Sequence, residues 1–266
     1  MAVILSPDAA ERAEQVDIDY FQVRVGQLAQ VAGNPYGAVV REVGSARAFL
    51  VQALPHSLFN RVMGLTAGTA QELPELARWY AGHGTKLRVD VTPAQSSREL
   101  FTAMVGQGLS QTGFSAGLYG DVALLAAPGT DGPAQVEPAD PDEFGRVYAD
   151  GFGFPAEIRD AMTVSMQVLA GYPDVRMYRA RVSASTAAVA LLFLSGKTGY
   201  LATAATLPGH RRQGVHSALI RQRIHDARLA GCDLIVGHAA AASASHRSLE
   251  RCGLHLAYTK AIWTTP

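Results

Sequence analysis

The segment Thr206-Leu-Pro-Gly-His-Arg-Arg-Gln-Gly-Val-His-Ser-Ala-Leu219 holds residue types that bind phosphate. Pro208 follows an apolar, β-prone run, Arg211 and Arg212 supply positive charge, and Gly214 opens a helix. Backbone N–H groups at a helix start have no partner within the helix, and the helix dipole favours an anion there. A glycine lets that backbone approach a ligand closely. No Gly-Lys-Ser/Thr follows, so the segment is not a nucleotide P-loop. Three glycines at dinucleotide-fingerprint offsets are also missing. The segment reads as a cradle for a diphosphate.

It resembles the acyl-CoA loop of the GNAT superfamily of acyl-CoA N-acyltransferases. The family pattern, Arg/Gln-x-x-Gly-x-Gly/Ala, stands here as Arg211-x-x-Gly214-x-His216, with histidine replacing the small residue. Two flanking segments also look family-like: Gly231-Cys-Asp-Leu234, and Ser245 to Tyr258. Many members carry Arg-Asn-x-x-Arg-x-Gly-Phe at the second; this chain has Ser248 for the Asn and Leu254 for the Phe. The resemblance implies an acyl-CoA donor, most simply acetyl-CoA, and direct attack of an amine on the thioester. It places the diphosphate on the N–H groups of Arg212, Gln213, Gly214, Val215, His216 and Ser217, beside Arg211. It puts an oxyanion donor at about Thr206–Leu207, and Ser248 on CoA in place of the Asn. For His216 two readings stand: a phosphate contact or a plain surface histidine.

The amine must lose a proton before it attacks, so a base is needed. The family's frequent glutamate has no counterpart in Gly199-Tyr-Leu-Ala-Thr-Ala-Ala205, and its frequent tyrosine position falls on Leu249. His238, Tyr258 and Tyr200 remain as candidates. His238 ends the apolar run Leu234-Ile-Val-Gly237, where α/β sites collect, and histidine titrates in the useful range. A structural or solvated histidine is the competing reading. Tyr258 could pack in the closing strand, and Tyr200 could face the core. Phe152 and Phe154, in Tyr148-Ala-Asp-Gly-Phe-Gly-Phe-Pro155, either line the acceptor pocket or plug a helix corner.

These residues need a scaffold. Asp140 with Pro141 starts a helix running to about Gly151, and a second helix covers about 156–169. Val175–Val182 and Ala187–Leu194 read as a hairpin, and about Tyr200–Ala205 as a third strand. A helix over about 215–230, a strand over 233–236, a helix capped by Ser243 or Ser245 and a strand over 254–263 complete the order. The first half echoes this order weakly: placing Gly84 on Gly231 superposes Leu87-Arg-Val89 on Leu234-Ile-Val236. Such self-similarity points to two copies of one unit. The counterpart loop, Thr66-Ala-Gly-Thr-Ala-Gln-Glu72, has no arginine and suits an anion poorly.

The expected fold is therefore α/β: tandem GNAT-like domains, each a mostly antiparallel twisted sheet flanked by helices. A degenerate domain spans 1–127 and the acyltransferase domain 134–266, joined at the Pro/Gly-rich Ala127–Pro133. Formal net charge is zero over 266 residues, which argues against a nucleic-acid partner. No apolar run approaches the ~20 residues of a membrane span. Two cysteines, neither in a CxxC pair, fit no structural metal site and suit the cytoplasm. The expected activity is N-acyl transfer to a small-molecule amine, without a metal, by a monomer or homodimer. Two readings stay open beside it: a phosphopantetheinyl carrier-protein donor in a biosynthetic pathway, and a non-catalytic CoA-binding module.

Overall fold

The computed structural model describes residues 5–55, 58–125 and 134–266. The Pro/Gly-rich join expected at 127–133 lies outside them. The chain divides into two compact units. Unit 1 holds residues 1–20 and 117–257, and unit 2 holds 21–116 and 258–266. Relative to the expected division at 127/134, these units exchange their terminal segments. Arg12 explains one exchange: it hydrogen-bonds the Lys197 carbonyl and pairs with Asp233 at 2.5 Å, both far along the chain in the C-terminal half. Strand pairing explains the other, because Ala261–Thr264 pair with Arg88–Val91.

Unit 1 begins with residues 7–20 of helix α1 (Pro7–Ala29). Strand β6 (Ala134–Pro138) leads into helix α4 (Pro141–Phe152), whose start matches expectation: the Asp140 carboxylate accepts from the N–H groups of Asp142 and Glu143. Gly153 closes α4 in the left-handed conformation that glycine adopts without penalty. Helix α5 (Ala156–Gln167) follows. Strands β7 (Val175–Val182) and β8 (Ser185–Ser195) form the expected hairpin, and Ala187–Phe193 of β8 are buried throughout. The third strand is not continuous. It splits into β9 (Thr198–Tyr200) and β10 (Ala204–Thr206). Helix α6 (Val215–Leu229), strand β11 (Leu234–Ala240) and helix α7 (Ala244–Arg251) come next. Ser243 caps α7 by accepting from the His246 N–H at 3.1 Å. The strand order is β11-β9-β8-β7-β6, antiparallel except for β9–β11, with β10 also paired to β8.

Unit 2 contains β1 (Ala38–Val43), β2 (Ala46–Val51), β3 (Arg61–Met63), helix α2 (Leu73–Gly82), β4 (Arg88–Val91) and helix α3 (Arg98–Gly106). Most of β5 (Ser110–Asp121) and of β12 (His255–Thr264) also belong to it. Pairing is antiparallel for β1–β2 and β2–β3, then parallel for β3–β4. The sequence β7, β8, β9, α6, β11 of unit 1 pairs identically. The echo between the halves is therefore a repeat of topology. Its core gathers Leu50, Val62, Leu76, Tyr80, Val89 and Leu100 between strands and helices.

Candidate functional site

Two hydrogen bonds fix how β10 turns its backbone. The Leu191 N–H donates to Thr203 O at 2.8 Å, and the Leu207 N–H donates to Ala187 O at 3.0 Å. Residues 203, 205 and 207 thus turn their peptide groups toward β8. By strand alternation, Ala204 and Thr206 turn theirs away from it. On the other side, parallel pairing of β9 with β11 ends where the Leu201 N–H reaches Val236 O at 2.8 Å. Beyond that point β10 follows β8 and leaves β11. A split opens between the two strands, with Thr206 on one lip and residues 237–240 on the other.

Helix α6 starts at the mouth of this split. Gly214 is its N-cap with φ +78°, and no side chain caps the first turn. No acidic residue sits in that turn either. The N–H groups of Val215, His216 and Ser217 lie in a first turn that offers no intrahelical acceptor. Before it, Arg212 also adopts a left-handed conformation, φ +64°, so the loop is coiled tightly. A cleft of about 890 Å3 faces the turn, lined by Thr206, Arg211, Arg212, Gly214, Val215, His216, Ser217 and Ser248 among others. Arg247 and Arg251 of α7 join them, and no carboxylate appears in the lining. Leu207 and Gln213 fall outside it: the Leu207 N–H is committed to Ala187, and the Gln213 amide donates to Gly209 O at 3.0 Å.

Arg211 does more than carry charge. Its guanidinium donates to Thr206 O at 3.3 Å and to Gly151 O at 2.8 Å, tying the loop to β10 and to the end of α4. Gly151 makes that approach possible. A Cβ there would stand 2.9 Å from Ala205 Cβ and 3.4 Å from Thr206 N.

His216 is half-buried. It lines the cleft, and its Nε2 lies 3.5 Å from Ser245 Oγ. Burial, with Arg223 and Arg251 nearby, pushes its pKa down to about 4. It is a neutral ring at physiological pH. Ser248 is buried, and its hydroxyl donates to Ala244 O at 2.8 Å and accepts from Arg251 at 2.9 Å. Phe152 lines the cleft and is 54% exposed, while Phe154 stacks on it at 5.4 Å and lies outside the lining. Both rings rest against buried Tyr148.

The candidates for proton transfer separate. Tyr258 is buried on β12, belongs to unit 2 and does not line the cleft. His238 sits on the β11 lip, two residues past the last pairing with β9, and like Tyr200 it too lies outside the cleft lining. Its Nδ1 lies 3.2 Å from Tyr200 Oη and 3.7 Å from Asp17 Oδ2. Tyr200 donates to Asp17 Oδ1 at 2.7 Å. A carboxylate thus reaches this region from α1 although the neighbouring strand has none. Sequence reasoning missed Asp17. Its signal is a carboxylate inside the buried stripe Ala13, Val16, Tyr20 of α1, where charge is rare unless paired.

Comparison with known proteins bears on this geometry. Residues 159–254 match the Acetyltransferase (GNAT) family model. That segment contains β10, the loop, α6 and the β11 lip. Residues 159–254 form a GNAT acetyltransferase domain. No curated protein matches the chain. Among solved structures, a GCN5-related N-acetyltransferase from Kribbella flavida is 14% identical and superposes with a TM-score of 0.65, covering 97% of this chain and 95% of its own. A tandem GNAT protein from the clavulanic acid biosynthesis pathway is 13% identical with a TM-score of 0.65, covering 97% and 96%. A conserved protein of unknown function from Staphylococcus epidermidis is 12% identical with a TM-score of 0.61, covering 86% and 94%. The chain thus carries a GNAT acetyltransferase domain, and as a whole it shares the fold of these GNAT structures.

The second GNAT-like unit closes its equivalent of the loop. There β3 runs through the 3-10 turn Ala67–Glu72 into α2. The Thr69 hydroxyl accepts from the Thr66 N–H at 3.0 Å and donates to Thr66 O, so this turn supplies its own partners. Where the GNAT domain has Gly237 beside its split, the repeat places Asp90. That carboxylate pairs with Arg61 at 2.7 Å and with Arg88 at 2.6 Å. Burial alone would raise its pKa, but Arg61, Arg88 and Lys260 hold it below the usual carboxylate range.

Proposed function

We propose that unit 1 takes its acyl group from acyl-CoA, most simply acetyl-CoA, and delivers it to the amine of a small molecule. The observation that carries this reading is the uncapped start of α6, which opens on an 890 Å3 cleft rimmed by arginines. A diphosphate would accept from the first-turn N–H groups, where an anion also gains from the helix dipole. Arg212, Arg247 and Arg251 would answer the remaining nucleotide charge. The pantetheine arm would enter the split beside β10. The Thr206 N–H, turned away from β8, would face the thioester oxygen as it gains charge. His238 would take the proton of the attacking amine. Phe152, exposed at the cleft edge, would bound the acceptor. A phosphopantetheinyl carrier arm lacks the adenosine diphosphate and would leave the arginine rim unmatched. The free, buried Cys232 and Cys252 suit action in the cytoplasm. No described helix is long and apolar enough to cross a membrane.

Titration calorimetry with acetyl-CoA tests the donor. Binding is expected, and Gly214→Glu should weaken it at least tenfold, because a carboxylate would repel the diphosphate where φ is also left-handed. Thiol release from acetyl-CoA over an amine panel, compared with release from acetyl-loaded carrier protein, tests the reaction. No heat with acetyl-CoA, or turnover with the carrier protein alone, would sink the reading.

A further inference from the structure

We infer that Arg247 and Arg251 of α7 form a second phosphate subsite in the cleft, which takes the 3′-phosphate on the donor's ribose. This rests on the proposed acyl-CoA donor and adds a selectivity to it: the chain tells CoA from dephospho-CoA, which lacks only that group.

Charge divides the cleft into two parts. Arg211 and Arg212 flank the start of α6, where the helix itself supplies roughly half a positive charge. A diphosphate diester keeps a single charge on each phosphorus, so these sources already answer it. Arg247 and Arg251 come from a different element and exceed that need. No carboxylate lines the cleft beside them. Glu250, the one carboxylate of α7, lies 3.4 Å from His246 Nε2 instead. A terminal phosphate carries about −1.5 to −2 at neutral pH, because its second proton also leaves. Two arginines match it, and a guanidinium suits phosphate oxygens better than any other cation.

Position fits the same assignment. Helix α7 lies against the first turn of α6: Ser245 Oγ, near its start, is 3.5 Å from His216 Nε2, and Cys252 Sγ, at its end, is 4.0 Å from Ser217 O. Arg247 and Arg251 stand four residues apart and therefore share one face of α7. Both guanidinium groups are held in place. Arg251 donates to Ser248 Oγ at 2.9 Å, and that hydroxyl donates to Ala244 O at 2.8 Å. Arg247 donates to Ala242 O at 2.5 Å. Ala242 is left-handed, φ +57°, and its N–H donates to His246 Nδ1 at 3.1 Å, so α7 side chains stitch the turn that anchors Arg247. A guanidinium has five N–H donors, and one such tie leaves a fork for phosphate oxygens. Ser248 is then a positioning residue. It stands where many family members carry an asparagine, and its short hydroxyl serves Arg251. Both arginines are exposed, so water and salt screen them, and the discrimination expected is about tenfold rather than thousandfold.

Titration calorimetry of the full-length protein with acetyl-CoA and with acetyl-dephospho-CoA tests the subsite without any substitution. Acetyl-CoA should bind about tenfold more tightly, and more salt should narrow the gap. In the double variant Arg247→Gln/Arg251→Gln the ratio of the two affinities should fall below about threefold, with urea melts showing that the variant is folded. Ser248→Ala should lower the ratio by a smaller factor. Equal affinities in the unaltered protein would overturn the inference and leave the proposed donor standing, whereas no heat with either compound would defeat the proposed donor itself. A tenfold ratio that survives in the double variant would also overturn the inference, by moving the phosphate away from α7. A ratio lost in the double variant but intact in Ser248→Ala would defeat only the role of Ser248.

Discussion

At the scale of single residues, the cleft is set by side chains that already have work within the protein. Arg211 is held by two carbonyls, and Ser248 both donates and accepts inside α7. Arg212 stands exposed in the loop. Arg212→Ala should therefore cost donor affinity mainly through charge, with a KM for acetyl-CoA raised several-fold and steeply dependent on salt. His216 gives a pH prediction. Its pKa in the folded protein lies near 4, below the 6.5 of an ordinary histidine. The unfolded chain therefore binds more protons between those values, and stability contributed by the neutral ring is lost as pH falls from 6.5 toward 4. Denaturant melts should show a loss of about 1–2 kcal/mol between pH 7.5 and pH 5 that His216→Ala removes. Donor KM should stay flat with pH across neutrality, since the ring does not charge there.

At the scale of elements, the site depends on α4 lying close to β10. Gly151 is the contact, and a methyl group at that position meets Ala205 and the Thr206 backbone. Gly151→Ala should destabilise the protein by about 1–3 kcal/mol, measured by urea titration, and raise the acetyl-CoA KM by shifting Thr206. The break between β9 and β10 is equally local. Three residues, Leu201 to Thr203, transfer the strand from a partner on each side to β8 alone, and this creates the split. The uncapped first turn of α6 has an instructive counterpart in the capped turn at Thr66. Both precede a helix at the same place in the topology, and only the former leaves an anion site open.

At the scale of the whole molecule, the proposed function gives two similar units a single donor site. Acetyl-CoA should bind with a stoichiometry of one per chain, and the tenfold or greater weakening in Gly214→Glu should apply to all of the binding rather than to half of it. Unit 2 spends its equivalent position on the buried pairing of Asp90 with Arg61 and Arg88. Removing one partner leaves uncompensated charge, so Asp90→Ala should cost about 3–5 kcal/mol in denaturant melts. Because the folded pKa of Asp90 is lowered, its contribution is present above the ordinary carboxylate range and lost as pH falls through the folded value.

The chain's local chemistry was legible along its length. The Asp140 and Ser243 caps, the hairpin after Val175 and the glycine-led start of α6 depend on neighbours a few residues away, so pattern alone sets them. The donor loop belongs to that class: its helix-start amides, arginines and glycine are contiguous, and the family resemblance rests on the same residues. The domain boundaries were not legible, because a strand's partner is chosen by sheet edges and buried area rather than by position in the chain. Nor was the meeting of α1 with Tyr200 and His238 visible. Asp17 meets Tyr200 and His238 only because α1 packs its buried stripe against β9 and β11, bringing a carboxylate from the start of the chain to a histidine near its end. The sequence by itself determined that this protein could hold a diphosphate at Gly214. The tertiary structure alone decided which groups stand together at the split, since that depends on long-range packing that no spacing encodes.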